Sequence, residues 1–231
     1  MQVKALIFDV FGTLVDWRGS VARQAEALLQ PLGLPVDGLA FADDWRGLYQ
    51  SSMEWVRSGS MGYVSLDVLH RRNLDEVLAQ RGWTHDVPEA VKLQLNLAWH
   101  ALDAWPDVGP GLARVGQHHL LAPCSNGHFS LMMNLARHNG WRWDVLLGAQ
   151  WAHDYKPKPV VYLKACEALD LPPEQVMMVA AHSSDLAAAA ACGLKTAFLP
   201  RPHEHGPNRG EAEPAGPVDR IVQADWSLTL P

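Results

Sequence analysis

The chain has 231 residues, 48% of them hydrophobic and 19% charged, so it can bury a substantial core and is not a disordered polymer. Its formal net charge of −6, with no lysine- or arginine-rich run, provides no field to draw a polyanion and argues against nucleic acid as a partner. The opening "MQVKALIFDV" holds only a short apolar segment ending in an acid. That fits neither a signal peptide nor a spanning helix, so a soluble, cytoplasmic protein with no membrane partner is expected.

In chain order, "KALIFDV" reads as a buried strand that delivers one carboxylate, Asp9, with Gly12 and Thr13 forming a turn behind it. From Ser20 the apolar positions Val21, Ala25, Leu28, Leu29 and Leu32 recur at helical spacing, and Pro31 with Gly33 marks the end. The text stays helical up to about Trp105, as in "LDVLHRRNLDEVLAQRG" and "PEAVKLQLNLAWHAL". After "WPDVGPG" short apolar runs alternate with helical segments. "HLLAPCS" leads into "FSLMMNLARHNG", "DVLLGA" precedes "PVVYLKACEALDL", and "VMMVAA" runs into "DLAAAAACG" before "KTAFL" and a late "RIVQA". Strands alternating with helices predict an α/β fold, a parallel sheet covered on both faces. Residues 1–15 and 105–231 then form the core, with 16–104 an inserted helical cap.

Several conspicuous features read as structural. Cys124, Cys166 and Cys192 are odd in number and far apart, which points to buried free thiols rather than a disulfide framework or metal site. Trp17, Trp45, Trp55 and Trp99 read as cap packing, with Trp45, beside Arg46, the one that could instead line a pocket. The histidine pairs at 118–119 and in "HEH" at 203–205 have no accompanying ligand cluster and read as surface, the latter within the loop "PRPHEHGPNRGEAEPAGPVD".

In parallel sheets reactive groups gather at the carboxyl ends of the strands. That rule selects Asp9, Thr13, Ser125, Asn126, Lys156 and Asp185. Taken singly, each except Asp9 has an ordinary reading: Thr13 closes a turn, Ser125 caps a helix, Lys156 is solvated, and Asp185 is an N-cap. Taken jointly, a nucleophilic carboxylate with a lysine, hydroxyls and a second carboxylate points to a catalytic site.

"FDVFGTLVD", "CSNG", "YKPKPVVY" and "AAHSSDL", in this order, resemble the haloacid dehalogenase superfamily and, within it, the L-2-haloacid dehalogenases of type II. The likeness is strongest in these four motifs; in the cap only "DDWRGLYQ" aligns. It implies a Rossmann-like catalytic core with an inserted helical cap. Phosphatases of this superfamily carry D-x-D at the first motif, the second acid protonating the leaving alcohol, and an acidic pair around magnesium near the end. Here Phe11 stands at the second acid's position, and Ala180 and Ala181 stand where the earlier acid of the pair falls. A halide leaves without protonation, so an apolar ring at Phe11 suits a desolvated carbon–halogen bond, and no metal or other cofactor is expected.

The resemblance implies Asp9 as the nucleophile that forms an ester with inversion, with Arg46 and Asn126 receiving halide. Ser125 holds the substrate carboxylate, Lys156 keeps Asp9 ionised, Tyr162 completes the hydrogen-bond set, Asp185 handles the hydrolytic water, and Thr13 belongs to the same catalytic set. Arg57 is a second candidate for the cap arginine. Where many relatives have Ser, Asn and Trp in the last motif, this sequence has Ala180, His182 and Ser184. His182 either replaces an amide as a hydrogen-bond partner or contacts water or halide and suits fluoride. The expected substrate is a small halogenated carboxylic acid, and exposed apolar cap helices are compatible with a homodimer. A phosphatase with an atypical acid set and a non-catalytic member of the fold are the alternatives.

Overall fold

The structure is a computed structural model and describes residues 2–229. Contacts divide the chain into two compact units, Met1–Asp16 with Asp103–Pro231, and Trp17–Leu102.

The first unit is built on strands β1 (Ala5–Phe8), β2 (Leu120–Ser125), β3 (Leu147–Gly148), β4 (Val176–Ala180), β5 (Lys195–Phe198), β6 (Arg220–Val222) and β7 (Leu228–Thr229), in the sheet order β3-β2-β1-β4-β5-β6-β7. Six strands run parallel, and β7 pairs antiparallel with β6, an addition to the all-parallel expectation. Register places Phe8 opposite Pro123 on one side and Val179 on the other, so β1, β2 and β4 end side by side.

Successive side chains of a strand point to opposite faces, and β1 is apolar on both. Ile7 joins Cys124 and Met178 in a core completed by Val161, Tyr162 and Cys166 from a helix over Pro159–Ala168 and Leu186 and Ala189 from one over Ser183–Ala191. Phe8 faces the other way, with its ring centroid 5.9 Å from Trp143 and 6.3 Å from Trp226. The helix Val108–Val115 meets Trp226 on that side through Gly111, where a Cβ would come within 2.0 Å of the indole. Helices therefore cover both faces, as the alternating pattern requires. Of the three free thiols Cys124 and Cys166 are buried, but Cys192 is only partly buried.

The second unit is helical: α1 (Trp17–Leu29), α2 (Gly38–Gly47), α3 (Tyr49–Arg57), α4 (Leu66–Gln80) and α5 (Glu89–Leu97). The first helix begins at Trp17 rather than at Ser20. It runs into a short 3-10 turn that ends at Gly33, whose φ of 77° is the left-handed conformation glycine adopts without strain. Asp37 caps α2 by accepting the Ala40 N–H at 3.0 Å. At its centre His70 stacks on Trp99 with centroids 4.2 Å apart, and Trp45 meets Trp99 edge-on at 5.5 Å. Among the described residues no helix is long and apolar enough to cross a membrane.

Continuing in chain order, α6 is Val108–Val115, α7 Phe129–Asn139, α8 Ala149–Ala152, α9 Pro159–Ala168 and α10 Ser183–Ala191.

Candidate active site

The carboxyl ends of β1, β2 and β4 converge on Asp9. The Asp9 N–H donates to the Val179 carbonyl at 3.0 Å, which carries the β1–β4 ladder one residue past the strand and holds the carboxylate at its edge. Lys156 Nζ donates to Asp9 Oδ1 at 2.8 Å and to Asp185 Oδ2 at 2.5 Å, so one buried ammonium bridges two buried carboxylates. The Thr13 hydroxyl donates to Asp9 Oδ2 at 2.7 Å and accepts the Ala181 N–H at 3.0 Å, tying the first turn to the end of β4. Tyr162, from α9, donates a short hydrogen bond to Asp185 Oδ1. Asp185 lies in the first turn of α10 but does not cap it; Glu211 accepts the Ser183 N–H at 3.1 Å instead.

His182 and Glu204 complete the cluster. His182 Nδ1 is 3.1 Å from Asp9 Oδ2, and its Nε2 is 2.8 Å from Glu204 Oε2. Glu204 is 2% exposed, which corrects the surface reading of "HEH" at 203–205 for its central residue. The physical reason is a close fit: Gly12 has φ +82° and no side chain, and the Glu204 carboxylate occupies the space its Cβ would fill, 2.0 Å from Oε1. Sequence reasoning missed Glu204 because its loop is rich in proline and glycine, yet it follows β5, whose carboxyl end the strand-end rule also covers.

Burial disfavours each charge, and partners decide the outcome. For Asp9 burial opposes ionisation, but Lys156 and His182 outweigh it and hold the carboxyl well below the usual range. For Lys156 burial is likewise outweighed, here by Asp185 and Asp9, and the side chain stays an ammonium. Burial lifts Asp185; Lys156 pulls it back, Asp9 pushes it on, and the net shift is upward. Burial works against a charged His182, yet Asp9 and Glu204 push the imidazole up to about 10. The resulting nucleophile is anionic and desolvated, as displacement at carbon requires.

The remaining candidates fall around this cluster or in the helical unit. Ser125 Oγ accepts the Gly127 N–H at 3.1 Å, shaping the turn after β2 rather than capping α7. Asn126 Oδ1 accepts the Lys156 N–H at 2.9 Å, so the amide braces the lysine loop and its donating end is Nδ2. Phe11 is buried in the first turn, bridged to Val15. In the helical unit the Arg46 guanidinium lies 3.8 Å over the Tyr49 ring and 5.3 Å from Trp17. Arg57 is held on α3 by Glu54 at 2.9 Å and by Gln50. Trp45 donates from Nε1 to the His70 carbonyl at 2.9 Å and is a core residue of its unit.

The donor set does not suit magnesium. A hard dication needs several oxygen ligands, but alanines stand at 180 and 181, and the Lys156 ammonium already lies between the two carboxylates.

The family model for haloacid dehalogenase-like hydrolases matches residues 3–193. A crystal structure of a defluorinating L-2-haloacid dehalogenase superposes with a TM-score of 0.93 at 43% identity, covering 95% of this chain and 91% of that one. The (S)-2-haloacid dehalogenase 4A of Burkholderia cepacia is 28% identical over 205 residues, 87% of this chain and 84% of that protein. A phosphoglycolate phosphatase of Chromobacterium violaceum is 28% identical over 202 residues, 83% of this chain and 82% of that one.

Proposed function

Because the chain belongs to the haloacid dehalogenase-like hydrolases, on their L-2-haloacid dehalogenase branch, we propose that it hydrolyses short (S)-2-haloalkanoic acids to (R)-2-hydroxy acids through an ester on Asp9. Haloacetates belong to the proposed range, fluoroacetate included, on the strength of the 43% identity to a defluorinating enzyme. The observation that carries the reading is Asp9 itself. It is a buried, ionised carboxylate held by Lys156, Thr13 and His182, with a phenyl ring at position 11 where a phosphatase needs an acid.

Asp9 attacks the halogen-bearing carbon from the side opposite the halide, which inverts the centre and leaves an ester. Halide departs as a stable anion, so no acid is needed at position 11. The Asn126 amide is the proposed donor to the departing charge, and Ser125 with its loop amides the proposed holder of the substrate carboxylate. Lys156 keeps Asp9 anionic between turnovers. Asp185, steadied by Tyr162 and Lys156, takes a proton from the water that attacks the ester.

The test is halide release from each enantiomer of 2-chloropropionate with a chelator present, coupled to one turnover in heavy-oxygen water. Chloride from the (S) form alone, insensitivity to chelation, and label in the Asp9 side chain are expected. Product formed with no label in Asp9 overturns the ester mechanism, and magnesium-dependent phosphate release from phosphomonoesters restores a phosphatase.

A further inference from the structure

The two oxygens of Asp9 are dressed unequally. Oδ1 meets one donor, Lys156 Nζ at 2.8 Å, whereas Oδ2 meets two, the Thr13 hydroxyl at 2.7 Å and His182 Nδ1 at 3.1 Å. An oxygen with fewer donors keeps more lone-pair density for attack, and one with two convergent donors is prepared to receive negative charge. His182 alone does not fix its own orientation. Its far nitrogen, Nε2, is held at 2.8 Å by Glu204 Oε2, while His205 Nε2 lies 3.6 Å from the other oxygen of the same carboxylate.

Glu204 is in turn placed by a built loop. Arg201 Nε donates to the Thr13 carbonyl at 2.8 Å, and its guanidinium takes both oxygens of Asp107 at 2.9 and 3.0 Å. The Gly210 N–H closes on the Pro202 carbonyl at 3.0 Å. Gly12 then leaves the gap that the carboxylate enters. The turn that presents Asp9 therefore also seats the acid that holds the ring beside it.

We infer that Glu204 is a positioning residue that keeps His182 Nδ1–H on Asp9 Oδ2, so that His182 and Thr13 form an oxyanion hole for hydrolysis of the Asp9 ester. The inference rests on the reading of Asp9 as an ester-forming nucleophile. After Oδ1 has bonded to substrate carbon, Oδ2 is the ester carbonyl. Water adds to Cγ and gives one proton to Asp185, while the carbonyl π pair moves onto Oδ2, where the two donors receive it. The pair then returns and the Cγ–Oδ1 bond breaks. The 2-hydroxy acid leaves with Oδ1 and the proton from Asp185, and Asp9, now carrying the water oxygen, releases the remaining proton to solvent. Ester formation removes the Asp9 charge, so Glu204 is then the carboxylate that keeps the ring protonated and aimed.

The experiment uses the full chain with (S)-2-chloropropionate under rapid quench, reading the first-turnover chloride burst and, by intact mass, the ester. Glu204→Gln is expected to keep the burst rate within about 3-fold while ester decay slows between about 10-fold and the roughly 10²-fold that loss of one oxyanion donor costs. Glu204→Asp is expected to recover part of that loss. Ester decay at the wild-type rate, or burst and decay slowed equally, overturns the inference. If Glu204→Gln is not folded by circular dichroism, Glu204→Asp decides by the same two rates, with ester decay slowed and the burst kept. A wild-type enzyme that puts no solvent oxygen into Asp9 sinks the ester reading itself; label in Asp9 with unchanged variant kinetics sinks only the role of Glu204.

Discussion

Around Asp9 the sheet unit gathers Lys156, Asp185, Tyr162, His182 and Glu204 into one hydrogen-bonded cluster, whereas around Trp45 the helical unit buries Trp17, Trp99, Phe41 and His70 by ring packing. The two nuclei answer to different physics. A buried charge is tolerable only while its partner stays in place, so the polar nucleus depends on specific donors at specific distances. An aromatic nucleus depends on volume and area, and exchanges shape for stability gradually. Substitutions in the first nucleus should therefore register in chemistry, and those in the second in folding.

The largest expected separation comes from Asp9→Asn. Turnover should fall by roughly 10⁴-fold or more, as loss of a nucleophile does. Lys156 keeps Asp185 as its counter-ion at 2.5 Å, so the urea midpoint should move far less than the rate. Parallel halide-release and denaturation curves check this, and a protein that loses both together erases the contrast.

Trp45→Ala is the converse. It should lower the unfolding free energy by about 3–5 kcal/mol, the usual result of deleting a buried large aromatic side chain. A variant with wild-type stability and a raised KM makes Trp45 a ligand-binding ring instead of a packing one.

The smallest effect is a pH dependence. His182 binds its proton more tightly when folded, with its pKa pushed from 6.5 to about 10 by Asp9 and Glu204 in spite of burial. Its contribution to stability is therefore complete below about pH 6.5 and lost as pH rises through about 10. The stability difference between the wild type and His182→Gln should shrink across that window in urea titrations at successive pH values. A difference that stays constant from pH 6.5 to 10 means the ring is neutral in the folded protein.

Strand-end logic reached Asp9, Thr13, Lys156 and Asp185 from sequence because a parallel α/β pattern brings the carboxyl ends of its strands to one edge wherever they lie in the chain. It stopped at Glu204 because its loop reads as solvent by composition; contacts remote in sequence, the gap at Gly12 and the bond to His182, make it part of the site. The antiparallel β7 was equally illegible, since two residues at an edge carry no periodicity.

The alternation of apolar runs with helical segments was enough to determine the α/β class, and the four motifs were enough to determine the family, because hydrophobic period and residue identity are local properties of the chain. Only the tertiary structure decided which Asp9 oxygen faces Lys156 and which faces His182, and that a glutamate from beyond β5 stands behind the ring. Those are distances between residues remote in sequence, set by packing and desolvation, and no local pattern encodes them.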